Sequence, residues 1–109
     1  MPLEEAPYDN DGNLLSYVSR YYDRGYQAPI MQPNIPFKAV MTLDGIQRGQ
    51  SSALFILKNE QGRKFPMFMS QMADLLQRAG MAGGKTDELT WHVVKRGQNY
   101  SLAYLLNGF

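Results

Sequence analysis

Three basic corners beside glycine carry the clearest chemistry in this sequence: Arg48-Gly49, Gly62-Arg63-Lys64 and Lys95-Arg96-Gly97. Glycine lets a backbone N–H approach an anion closely, and a guanidinium offers a forked set of donors. Polar donors or a ring follow each corner: Gln50, Ser51 and Ser52, then Phe65, then Gln98, Asn99 and Tyr100. On this pattern Arg48, Arg63, Lys64, Lys95 and Arg96 are the candidates for holding phosphates. Tyr100 is the first candidate for stacking on a base, with Phe65 or Trp91 behind it. Turn chemistry alone predicts much of the same pattern, since glycine belongs in turns and flanking cations keep turns soluble. Grasping a polynucleotide requires these corners and exposed rings on one side of the molecule.

Other chemistries find little support. The 109 residues include 11 Lys+Arg, 10 Asp+Glu, one His and no Cys. Zero cysteine excludes disulfides, thiol catalysis and thiolate metal sites, and one histidine excludes a multi-histidine metal site. His92 with Ser51, Ser52 or Ser101 has no spacing that supports a nucleophile–base pair. Asp87 and Glu88 are adjacent acids in an expected loop, with no periodicity that pairs them for acid–base work. The run Gly80-Met81-Ala82-Gly83-Gly84-Lys85-Thr86 falls one residue short of a phosphate loop and follows a helix instead of preceding one. Asn99-Tyr100-Ser101 matches a glycosylation acceptor by pattern only. The expectation is a protein that is not an enzyme, with no catalytic residue, cofactor or metal.

The charge is unevenly placed. Residues 1–12 hold Glu4, Glu5, Asp9 and Asp11 and no base, while residues 13–109 hold all 11 bases. An acidic arm on a mildly basic body follows, suited to phosphates. The N-terminus lacks the apolar run of a secretory signal, and no stretch approaches a membrane span, so a cytoplasmic protein without a membrane partner is expected.

Five of the six prolines (Pro2, Pro7, Pro29, Pro33 and Pro36) lie before Phe37. Each ring fixes φ and removes a donor, so residues 1–36 read as an extended N-terminal arm and 37–109 as the domain. Leu14, Leu15, Val18, Tyr21 and Tyr22 recur at helical spacing, predicting a short helix over Asn13–Arg24 stopped by Gly25. Tyr17, Tyr21, Tyr22 and Tyr26 make the arm adhesive, and they are the candidates for binding a protein partner.

In the domain, Phe37, Ala39, Met41 and Leu43 alternate with more polar neighbours, predicting a strand followed by a loop over Gly45–Gln50. Ser51–Lys58 reads as a central strand, Asn59–Gly62 as a hairpin turn, and Arg63–Met69 as a strand kept at an edge by Pro66. Ser70 suits an N-cap, and Met72, Leu75, Leu76 and Ala79 share one helix face that ends at Gly80. Met67, Met69 and Met72 are expected to fill the core. Met81–Glu88 reads as a loop, Leu89–Lys95 as a strand with Leu89, Trp91 and Val93 on one face, and Tyr100–Leu106 as its return. The expected class is α+β: a mainly antiparallel sheet in β-β-β-α-β-β order with one packed helix.

Two resemblances arise from these residues. The run Arg48–Ala53, then Gly62-Arg63-Lys64 with Met67-Phe68, then Lys95–Tyr100 resembles small bacteriophage-encoded accessory proteins, which implies a phage origin and the host cytoplasm as its place. Gly62-Arg63-Lys64, Ser70 and the Leu75-Leu76 helix are similar to the positive-cofactor and PUR-type single-strand-binding domains, in which a strand after a Gly-Arg turn leads into a helix backing a curved sheet. That likeness implies binding of single-stranded nucleic acid. The alternative is a protein–protein module, an inhibitor of a host factor or a virion or complex subunit, acting through the tyrosine- and proline-rich arm.

Overall fold

A computed structural model describes residues 4–18, 29–48 and 53–106. Its elements are β1 (Glu5–Tyr8), β2 (Ile30–Pro33), β3 (Phe37–Arg48), β4 (Ala53–Lys58), β5 (Lys64–Phe68), α1 (Met69–Arg78), β6 (Lys85–Arg96) and β7 (Asn99–Tyr104). The class is α+β: β1 and β2 form an antiparallel pair, and the other strands form an antiparallel sheet in the order β5-β4-β3-β6-β7.

The long β3 strand organises the sheet. Its first half pairs with β6 and its second half with β4, with register shifts between Val40 and Thr42 and between Leu43 and Gly45. Such bulges bend a strand and strengthen its twist, which lets one strand serve both halves of a rolled sheet. The two outer strands consequently meet. The Phe68 N–H in β5 donates to the buried Ser101 Oγ in β7 at 2.9 Å, and that hydroxyl donates onward to the Leu102 carbonyl.

Parity along the strands places the core. Ala39 and Met41, Leu57, Phe65 and Met67, Trp91 and Val93, and Leu102 are buried together with Met72 and Leu75 of α1. Trp91 is fully enclosed, and its indole N–H is satisfied by the Ala39 carbonyl at 2.8 Å. Burying one such large apolar side chain contributes roughly 1.5–3 kcal/mol. Gly80 ends the helix at φ +81°, with its N–H on the Leu75 carbonyl, a conformation that disfavours side chains with a Cβ.

The described part of the arm docks on its own domain. Leu14 N–H donates to the Lys64 carbonyl, Lys64 N–H donates to Asn13 Oδ1, and Tyr100 N–H donates to the Ser16 carbonyl. Residues 13–16 therefore satisfy backbone groups on both outer strands, β5 and β7, at the seam where edges would otherwise lie open. Asn34 clips the arm to β6 through both side-chain atoms, accepting from Val93 N–H and donating to its carbonyl.

Several local expectations are corrected. The helix expected over Asn13–Arg24 is absent from residues 13–18, where Leu14 bridges to Tyr8 and Tyr17 to Asn99; residues 19–24 lie outside the described residues. The Asp9 carboxylate accepts from the N–H groups of Asp11 and Asn13 and turns the chain, so the backbone bonds go to strand edges instead. Gly45–Arg48 is strand and not loop, because the bulge takes up the glycine and β4 pairs through to Arg48. The loop after α1 ends at Gly84: Lys85–Glu88 continues β6, with Val40 opposite Glu88. The central strand is β3, with β4 beside it. Ser70 is not the cap; Phe68 takes that position in extended geometry because β5 runs directly into α1. Leu76 and Met69 are exposed at 53% and 58%, so the buried helix face is narrower than the spacing implied.

Candidate nucleic-acid interface

At one end of the rolled sheet, β3 meets β4, β5 passes into α1, and β6 turns into β7. A groove of about 340 Å³ opens there. Gln47, Leu54 and Phe68 lie across neighbouring strands in register, so they share one face. Leu54, Phe68 and Met69 supply its apolar lining, and Arg48, Arg96, Ser16, Ser70 and Asn99 supply polar lining. No Asp or Glu is among the described residues lining it.

Arg96 is pinned. Its Nη2 donates to Ser70 Oγ at 3.0 Å, and its Cζ lies 5.0 Å from the Phe68 ring centroid. A guanidinium above a ring gains electrostatic attraction and loses little freedom on binding. Arg48 is exposed at the end of β3. The first turn of α1 carries no acid, its N-terminus has no side-chain cap, and Met69 and Ser70 border the groove. The helix dipole therefore adds to the positive field of the two guanidinium groups.

The other predicted cations go elsewhere. Lys95 alternates to the opposite face from Arg96, 5.5 Å from the Tyr100 ring, in a small cleft with Glu4 and Glu5. Lys64 lies 3.5 Å from Asp44, which also pairs with Lys58. Arg63 folds over Gly12 of the arm, so closely that a Cβ on Gly12 would stand 2.8 Å from its Nε. Arg63 also borders a second hollow of about 440 Å³ between arm and body, with Lys38, Tyr8 and Phe37. The requirement drawn from the sequence, all three corners and exposed rings on one side, is therefore not met: the five cations do not form one surface, and only Arg48 and Arg96 line the same groove.

The rings divide as sharply. Phe65 and Trp91 are buried and have no face to offer a base. Tyr100 is half-buried, packs against the core and gives its N–H to Ser16. Tyr17 is half-buried and bridged to Asn99, while Tyr21, Tyr22 and Tyr26 lie outside the described residues. Phe68 is the ring at the groove. Its outward phase follows from the inward phase of Phe65 and Met67, a parity signal present in the sequence. Ser16 had no such signal, because its place is set by the arm's long-range docking.

The buried Thr86 hydroxyl accepts from Met41 N–H at 3.1 Å and donates to the Asp87 carbonyl at 2.7 Å. Desolvation lowers the His92 pKa from its ordinary value, and burial raises that of Tyr8. Among the described residues no group of three His, Asp or Glu side chains is placed to hold a metal, and no helix is long and apolar enough to cross a membrane. No known protein family, curated protein or solved structure matches the chain.

Proposed function

We propose that this chain is a small non-enzymatic accessory protein, of the bacteriophage type and acting in the host cytoplasm, that binds single-stranded nucleic acid in the groove lined by the ends of β3, β4, β5 and β6. The observation that carries the reading is the pair Arg48 and Arg96 on a groove with apolar lining and no acid among its described lining residues. Guanidinium groups take phosphates, and the apolar lining accepts the flat faces of bases.

The topology supports the same reading. A long first strand shared by both halves, a helix between the third and fourth strands, and outer strands that meet correspond to the five-stranded Greek-key barrel of the OB type. Barrels of that kind take oligonucleotides or oligosaccharides on the face of the second and third strands, between the first and last loops. The groove beside the ends of β4 and β5, the second and third strands of the five, is consistent with such use. Two cations and no carboxylate among its described lining residues favour the polyanion over the sugar.

Titration of a fluorescent single-stranded oligonucleotide at two salt concentrations tests this. The expected outcome is binding that weakens with salt, the logarithm of affinity falling by about 0.7 per phosphate contacted for each logarithmic unit of salt. Absence of binding at low salt, or a signal indifferent to salt, removes the reading.

A further inference from the structure

Resting on the nucleic-acid reading above, we infer that Arg96 is a stacking platform for one unpaired base as well as a source of charge. The inference comes from how the side chain is held. Phe68 contributes its ring below the guanidinium at 5.0 Å, and Ser70 Oγ accepts from Nη2 at 3.0 Å. Two unrelated contacts, one from β5 and one from α1, fix a group that usually samples many rotamers. A flexible phosphate contact needs no such restraint. A planar platform does, because stacking requires the plane to be in place before the base arrives.

The neighbours fit that role. The Arg96 guanidinium lies over the Phe68 ring, so a base stacking on that side meets the guanidinium first, and the ring strengthens the platform from behind. Leu54 and Met69 add apolar lining, while Asn99, opposite Arg96 in register, offers an amide for a base edge. Arg48 remains the contact for the adjoining phosphate. A base must leave its duplex stack to reach this plane, so the substrate class is single-stranded nucleic acid with at least one splayed base.

The test compares two probes, a short thymidine oligonucleotide and the same oligonucleotide carrying abasic sites, on the full chain and on Arg96→Ala, Arg96→Lys and Phe68→Leu. Stacking predicts that Arg96→Ala weakens the intact probe by about tenfold, weakens the abasic probe much less, and that Arg96→Lys falls with Arg96→Ala on the intact probe. Phe68→Leu, which keeps an apolar lining but removes the ring, should weaken the intact probe selectively as well. Equal losses on both probes, or full affinity in Arg96→Lys, would overturn the platform and leave Arg96 a simple charge. Failure of the unsubstituted protein to bind either probe would instead overturn the nucleic-acid reading itself.

Discussion

At one end of the β4–β5 hairpin, Arg63 lies across Gly12 and Lys64 faces Asp44, with the arm bonded to the Lys64 backbone on both sides. At the other end, Arg48 and Arg96 face a groove without a described carboxylate in its lining. Both ends show a cation beside glycine in the sequence. At the first the arm bonds to the backbone, Lys64 pairs with Asp44 and Arg63 lies against Gly12; at the second both guanidinium groups are exposed beside one groove. A basic corner becomes a binding site only where the rest of the chain leaves it uncovered, and coverage is a property of long-range packing.

Substitutions at the two ends should separate these roles. Replacing Arg48 and Arg96 together with alanine should cost about a hundredfold in oligonucleotide affinity, as two contacts of roughly 1.4 kcal/mol each would. Arg63 and Lys64 replaced together should leave affinity within about twofold; anisotropy titration reads both, and equal losses would erase the distinction. Next in size is Gly12→Ala. Its φ of +86° disfavours a Cβ, and Arg63 occupies the space beside it. Thermal unfolding should show a loss of about 1–2 kcal/mol, partly recovered when Arg63→Ala makes room, with affinity unchanged. The smallest effect belongs to Asp44→Asn, which releases Lys58 and Lys64. Stability should change by less than about 0.5 kcal/mol, with a slight gain in affinity at low salt that vanishes at high salt.

Part of this was readable along the chain. Alternation put Ala39, Met41, Trp91 and Val93 inward, and helical spacing put Met72 and Leu75 inward, because side-chain direction follows backbone period locally. Parity also indicated the outward phase of Phe68. What local pattern could not convey was the bulge that carries β3 through Gly45, since a glycine in a polar stretch reads equally as a loop. Nor could it reveal that Asn13–Ser16 would bond to strand edges: a run of apolar residues near helical spacing has no means of showing that a better set of hydrogen-bond partners lies far along the chain.

The sequence by itself determined the class of fold, the inward face of β6 and of the first half of β3, and the identity of the basic corners. Only the tertiary structure decided which corners share a groove, which rings remain available and which cations lie against the arm or pair with Asp44. The physical reason is range. Propensity, parity and turn chemistry act over a few residues, whereas a site is made by groups far apart in the chain whose meeting depends on how the bent β3 strand rolls the sheet until β5 and β7 come together.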